Sequence, residues 1–270
     1  MPTTIRIASV SLSGGQGKTT LIYFLAKKLA LLGYRTLVID LDPQHNISTF
    51  LRVTIQKDEA SVLEFLKGET STSSIYPVEN FDNLFVIPAD DGLEVANDFL
   101  AASGFGIVQL KNRLQQLTTK LPNFDFCLID TPPQKSQLCK TGIGASEYYL
   151  IPAEPEVKGV LSLVRTRDAI AEIKNSGIIN TQLLGVLPFR DKWYGLNRSK
   201  ESQSAISQMS RLVERDLLLP PFRDSTLAKK AISSNQTLEA LNASHLAYPF
   251  EQLIDKLQQI HERSLSAVGQ

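Results

Sequence analysis

Ile5-Arg6-Ile7-Ala8-Ser9-Val10 runs directly into Ser11-Leu12-Ser13-Gly14-Gly15-Gln16-Gly17-Lys18-Thr19-Thr20, and the junction between the two decides how the chain folds. The first six residues form an apolar run of strand length. After Lys18, the apolar residues Leu21, Ile22, Leu25, Ala26 and Leu29 recur at helical spacing, and Gly33 closes that stretch. A strand, a glycine-rich turn and a helix therefore follow one another. The glycines let the turn fold tightly, so that successive backbone N–H groups point at one place. The new helix adds its positive dipole end there. Phosphate binds such a place. The candidate contacts are Ser13, Gly14, Gly15, Gln16, Gly17, Lys18, Thr19 and Thr20. Lys18 would bridge the β- and γ-phosphates, and the Thr19 hydroxyl would take a Mg²⁺ coordination position.

Outward from this junction the same alternation continues. Apolar runs of strand length recur at Thr36–Ile39, Leu84–Ile87, Phe126–Ile129, Tyr148–Ile151 and Leu183–Leu187. Helical spacing marks Leu93–Leu117, Val160–Ile173 and Ser202–Leu212. Strands alternating with helices predict an α/β fold: one doubly wound, mostly parallel sheet with helices on both faces. The whole chain, 1–270, reads as a single domain, with a C-terminal helix at about 245–264 docked on it by Phe250, Leu253, Ile254, Leu257 and Ile260. Gly68–Ser74 reads as a surface loop. Ligands of such sheets sit at the carboxyl ends of the strands. Two more motifs fall there. Leu37-Val38-Ile39 ends in Asp40-Leu41-Asp42-Pro43-Gln44, and Phe126-Cys127-Leu128-Ile129 ends in Asp130-Thr131-Pro132-Pro133. Asp130 would act on Mg²⁺ through water, and Thr131-Pro132-Pro133 would form a switch that senses the γ-phosphate.

Composition narrows the classes. The chain has 43% hydrophobic residues and equal numbers, 28 and 28, of basic and acidic side chains. That excludes a disordered chain. No apolar run is long enough for a membrane span, and the N-terminal residues carry no secretory pattern. Cys127 and Cys139 cannot build a disulfide framework, and without a CxxC pair a metal cluster is not expected. A reducing cytoplasm is the expected location. The charge is unevenly spread: Arg190 to Lys230 holds 9 basic and 5 acidic residues, a net of +4. A polyanion-binding surface is expected there, although a plain solvated surface would look the same.

Gly14-Gly15-Gln16-Gly17-Lys18-Thr19 resembles the deviant Walker A box of the ParA/MinD family of ATPases, and Asp40-Leu41-Asp42-Pro43-Gln44 closely resembles its second signature. The resemblance extends from Ile5 to about Leu257. It implies an ATP-hydrolysing enzyme with ATP and Mg²⁺ in the site. Asp42 would orient the attacking water, while Asp40 would support the metal and the water network. Gly185-Val186-Leu187-Pro188-Phe189 and Leu219-Pro220-Pro221-Phe222 resemble the base-contacting segments, which makes Pro188, Phe189, Pro221 and Phe222 the adenine candidates. Asn-Lys-x-Asp, which reads guanine, is absent, so ATP is preferred over GTP.

One residue departs from the family. A signature lysine normally precedes the two glycines, reaches across a dimer interface and neutralises charge on the partner's nucleotide, as an arginine finger does. That position is Ser13. Lys158, expected on the loop after the Ile151 strand, is the candidate replacement, raised by the Ser13 change above the competing reading of a surface lysine at a helix start; Lys135 and Lys140 are weaker ones. The serine resembles a carboxysome-positioning branch of the family. That likeness implies an ATP-dependent homodimer and non-specific, nucleoid DNA as a partner in the ATP state. It also implies a small adaptor protein that links the dimer to cargo and stimulates its release. Candidate DNA contacts are Arg198, Lys200, Arg211, Arg215, Arg223, Lys229 and Lys230. Plasmid or chromosome partition is the nearest alternative. Membrane cycling would need a basic amphipathic C-terminal helix, but Glu251, Asp255 and Glu262 outnumber Lys256 and Arg263 there. A metabolic ligase of the dethiobiotin synthetase type would need a cationic substrate pocket, and none is evident. A binding switch without hydrolysis also stays open if nothing replaces Ser13.

Overall fold

Ile5–Ser9, Thr36–Asp40 and Phe126–Asp130 are apolar almost without interruption, and such runs are stable only where both faces of a sheet are covered. The computed structural model of the protein describes residues 4–56, 58–70, 72–117 and 124–268, and it places these three runs side by side at the centre of one sheet. Among the described residues the strands are β1 (Ile5–Ser9), β2 (Thr36–Asp40), β3 (Tyr76–Pro77), β4 (Leu84–Ile87), β5 (Phe126–Asp130), β6 (Tyr148–Ala153), β7 (Gln182–Asp191), β8 (Trp193–Tyr194), β9 (Asn197–Arg198) and β10 (Phe222–Arg223). Eight of them form a sheet in the order β10-β7-β6-β1-β5-β2-β4-β3. All neighbours are parallel except β3 with β4; β8 and β9 form a separate antiparallel hairpin.

The helices are α1 (Lys18–Leu31), α2 (Asn46–Phe50), α3 (Val62–Lys67), α4 (Ala96–Ala102), α5 (Gly106–Leu117), α6 (Gln137–Ala145), α7 (Val157–Asn175), α8 (Lys200–Leu212), α9 (Thr226–Ser233) and α10 (Tyr248–Val268). They cover both faces. Apolar side chains of α1, α2, α9 and α10 pack in one core layer, and those of α3 to α8 in the other. Phe250, Leu253, Ile254 and Leu257 of α10 are buried in the first layer. This helix starts later and ends later than the 245–264 read from sequence, because Ser244–Leu246 is a separate 3-10 turn.

One helical stretch is corrected. Residues 93–117 do not form a continuous helix but a 3-10 turn, α4 and α5. Gly104 has φ +67, which an α-helix cannot contain, and a Cβ on Gly106 would lie 2.3 Å from the Leu100 carbonyl oxygen. The loop read at Gly68–Ser74 is tied down rather than free: Arg113 donates to the Phe65 and Thr70 carbonyls. Ser71 lies outside the described residues.

The topology positions the site. β1 has β5 on one side and β6 on the other, so the chain leaving β1 enters a crevice where strand order reverses. The register is specific: Ser9 lies beside Asp130, and Asp130 beside Asp40. Three adjacent strands thus deliver the phosphate loop and two carboxylates to one edge. Among the described residues no helix is long and apolar enough to cross a membrane.

Candidate active site

The loop from Val10 to Lys18 crosses the carboxyl edge of the sheet and caps α1 with Gly17, whose φ is +98. Only glycine fits at that point for a second reason: a Cβ would stand 2.4 Å from the Phe189 ring. Gly14 and Gly15 are exposed, so their backbone faces open space. Gly14, Gly15, Gly17, Lys18, Thr19 and Thr20 line a cavity of about 340 Å³, closed on its other sides by Asp42, Gln44, Asn46, Phe50, Pro133, Phe189 and Arg190. The phosphate-loop residues read from sequence therefore converge, except that Ser13 and Gln16 do not line the cavity.

Charge in this cavity, at Lys18 and Asp42, and behind it, at Asp40 and Asp130, is held under tension. Burial pulls the Lys18 ammonium below its ordinary value, and Asp130 and Asp42 oppose that pull. Asp40 is fully buried. Its Oδ1 accepts from the Asp42 N–H at 3.1 Å, and its Oδ2 accepts from the Ser48 N–H and hydroxyl at 3.1 and 2.7 Å. Burial raises its carboxyl to about 6 in spite of these bonds. Asp130 has less support. It is fully buried, and neither of its oxygens accepts a hydrogen bond of regular geometry. Burial, and then the nearby Asp40, push it up to about 8, with Thr19 and Lys18 offsetting part of the rise. Asp42 is held differently. Its Oδ1 accepts from the Gln44 N–H at 3.1 Å, and its side chain reaches both the phosphate cavity and a neighbouring one of about 270 Å³ lined by Pro132, Pro133, Gln134 and Asn97. Thr131 is pinned by donating to the Ser9 carbonyl at 2.8 Å. Strand β1 and the Thr131-Pro132-Pro133 turn are thus mechanically joined.

A buried carboxylate without a regular hydrogen bond calls for a cation. Among the described residues no three His, Cys, Asp or Glu side chains are arranged to hold a metal alone. The donor set suits a hydrated Mg²⁺, which keeps several waters and takes one or two protein oxygens plus phosphate oxygens. Thr19 would be the direct protein ligand, with Asp130 and Asp40 acting through water.

The phosphate cavity continues into a larger one, about 490 Å³, through Thr20, Phe50, Phe189 and Arg190. Phe189 and Phe222 line it, stacked at 5.8 Å and 9°. Pro188 is buried in β7, and neither it nor Pro221 lines this cavity. Sequence reading missed its cationic rim. Arg190 has φ +64, stacks over the Phe189 ring at 5.3 Å and donates to Glu154 at 2.8 Å. Arg52 has φ +57 and lines the same space. Such backbone strain in arginine marks a position held by its surroundings. Arg190 directly follows the Gly185–Phe189 segment and Arg52 lies eight residues past Gln44, and those positions were the only available signal.

The other calls spread out. Lys158 is not on a loop but in the first turn of α7; it is exposed and, among the described residues, forms no ion pair or side-chain hydrogen bond. Lys135, by contrast, is paired with Glu172 at 2.5 Å. Arg198 donates to Asp191 at 2.9 Å and stacks on Trp193, while Arg223 covers the same ring at 4.3 Å. Arg223 and Lys229 line the larger cavity. Lys200, Arg211, Arg215 and Lys230 are exposed and have no ion-pair partner among the described residues.

Comparison with known proteins agrees with this geometry. A family profile described as an AAA domain matches residues 4–183. The chain is 44% identical over 254 residues to the maintenance of carboxysome distribution protein A of Synechococcus elongatus, covering 94% of this chain and 99% of that protein. A Cyanothece McdA variant in complex with ATP superposes with a TM-score of 0.90 at 38% identity, covering 96% of this chain and 98% of that one. The cobyrinic acid a,c-diamide synthase of Mycobacterium smegmatis, solved with an ATP analogue and magnesium, is more distant: TM-score 0.70 and 26% identity, covering 83% and 86%.

Proposed function

We propose, for a chain that belongs to the ParA-type family of AAA-domain ATPases and hydrolyses ATP, that it is a positioning ATPase. The 1–270 chain acts as one P-loop domain. With ATP bound, two copies pair face to face and hold non-specific DNA on the nucleoid. Adaptor-stimulated hydrolysis then releases them into the cytoplasm. The relatives named for carboxysome distribution make carboxysomes the favoured cargo.

The mechanism assigns each residue one task. Loop N–H groups and Lys18 hold the β- and γ-phosphates. The adenine lies beside Phe189 and Phe222, with Arg190 and Arg52 at the rim. Thr19 would hold Mg²⁺, and Asp130 and Asp40 would hold its waters. The metal, when bound, neutralises charge on the phosphates. Asp42, facing two cavities, orients the attacking water. Lys158 neutralises charge that develops on the nucleotide of the facing copy.

One observation carries this reading. The loop has uncharged Ser13 where the family has its lysine, and an unpaired cation, Lys158, stands on the helix braced against that loop. A cation with no partner among the described residues of its own chain suits one outside it. The exposed, unpaired Lys200, Arg211, Arg215 and Lys230 are the best-placed DNA contacts.

A gel shift on unrelated duplex DNA with ATP, ADP and no nucleotide, at two salt concentrations, tests the cycle. Binding only with ATP, weakened by salt, is expected. Absence of binding in every state would refute the DNA-bound cycle.

A further inference from the structure

The end of β6 and the start of α7 are joined to the phosphate loop by contacts that neither nucleotide binding nor sheet pairing requires. Gln16 lies between two loop glycines and is fully buried. Its Oε1 accepts from the Glu154 N–H at 2.8 Å. Because that partner is a donor, the amide has one possible orientation, and Nε2 is left buried with no partner. A leucine would fill the same space and remove the orphaned Nε2, but it would leave the Glu154 N–H without its acceptor, so the glutamine is explained by its bond to Glu154. The carbonyl of Glu154 is equally constrained. A Cβ on Gly159 would lie 1.9 Å from it, so α7 starts this close only because residue 159 is glycine. Gly159 directly follows Lys158. Further along α7, the Ser162 hydroxyl bonds that of Ser11 at 3.0 Å, and Thr166 accepts from the Leu12 N–H at 3.1 Å.

We propose that Gln16 and Gly159 are positioning residues for Lys158. They clamp Glu154 between the crown of the phosphate loop and the first turn of α7, and so fix where Lys158 stands relative to the loop. The inference rests on the reading that Lys158 serves the facing copy's nucleotide. Neither residue needs to touch the reacting atoms.

The test measures dimer formation by sedimentation at saturating non-hydrolysable ATP analogue, with fluorescent-nucleotide titration and thermal unfolding as controls on folding. Gly159→Ala is expected to keep monomer nucleotide affinity and weaken dimerisation at least about tenfold. Gln16→Leu is expected to weaken it about tenfold, as the loss of one buried hydrogen bond would. In a Lys158→Ala background, neither substitution should add a further loss. Full additivity there would overturn the proposal, because a merely structural defect adds. Parent-like dimerisation of both variants beside an impaired Lys158→Ala would overturn it alone. Parent-like behaviour of Lys158→Ala would remove the underlying reading as well.

Discussion

Two regions of the molecule carry charge in opposite ways. At the ends of β1, β2 and β5, Lys18, Asp40, Asp42 and Asp130 are buried, and their places are set by strand register. On α7 and α8, and around residues 215 and 230, Lys158, Lys200, Arg211, Arg215 and Lys230 are exposed and find no partner among the described residues. A buried charge has its partner, or the lack of one, written into the fold. An exposed cation has its meaning in whatever second molecule arrives. The first region is chemistry done by one copy; the second is chemistry that needs another molecule.

The sharpest break of that contrast is Lys18→Ala. ATP affinity should fall at least about a hundredfold, measured by nucleotide titration. A modest loss would mean that backbone N–H groups alone hold the phosphates. Asp42→Ala should keep ATP and slow turnover by about 10²–10³-fold in a steady-state assay; normal turnover would move the water-handling role elsewhere. Lys158→Ala should leave ATP binding by the monomer intact but slow turnover about 10–100-fold, an exposed cation being worth less than a buried one.

The smaller effects sharpen the contrast. Replacing Lys200, Arg211, Arg215 or Lys230 by alanine should each lower the salt dependence of DNA binding by about one counterion, where that residue meets a phosphate. Asp130 offers a test by pH. Its folded value, about 8, lies above its ordinary 3.8. The folded chain keeps a proton that the unfolded chain releases, so stability falls as pH rises from about 4 through 8. Asp130→Asn should raise the melting temperature of the nucleotide-free protein by a few degrees at pH 8 and hardly at all near pH 4. Equal gains at both would show that the cost is not ionisation.

Legibility in the sequence followed the same division. Every central strand and the three motifs were readable, because buried apolar runs and glycine turns are local signals. So was the α/β class. The β8–β9 hairpin, β10 and the break at Gly104 were not, since two-residue strands and close approaches exist only through tertiary contact. In the site, Lys18 and the carboxylates could be read from spacing. Arg190, Arg52 and the Gln16–Glu154 bond could not, because each joins segments far apart in the chain. Lys158 was singled out from the missing lysine at Ser13; of the loop and the helix start that sequence allowed for it, the fold selects the helix start.

The central claim is that the site is completed by a second copy, and mixing tests it directly. A Lys158→Ala chain keeps its own Lys18, Asp42 and Asp130. An Asp42→Ala chain cannot handle water but still offers Lys158. Each alone should turn over ATP slowly. Their equimolar mixture should hydrolyse ATP well above the sum of the two, because the second chain lends its lysine to the first. A mixture no faster than that sum would contradict a lysine acting across the interface.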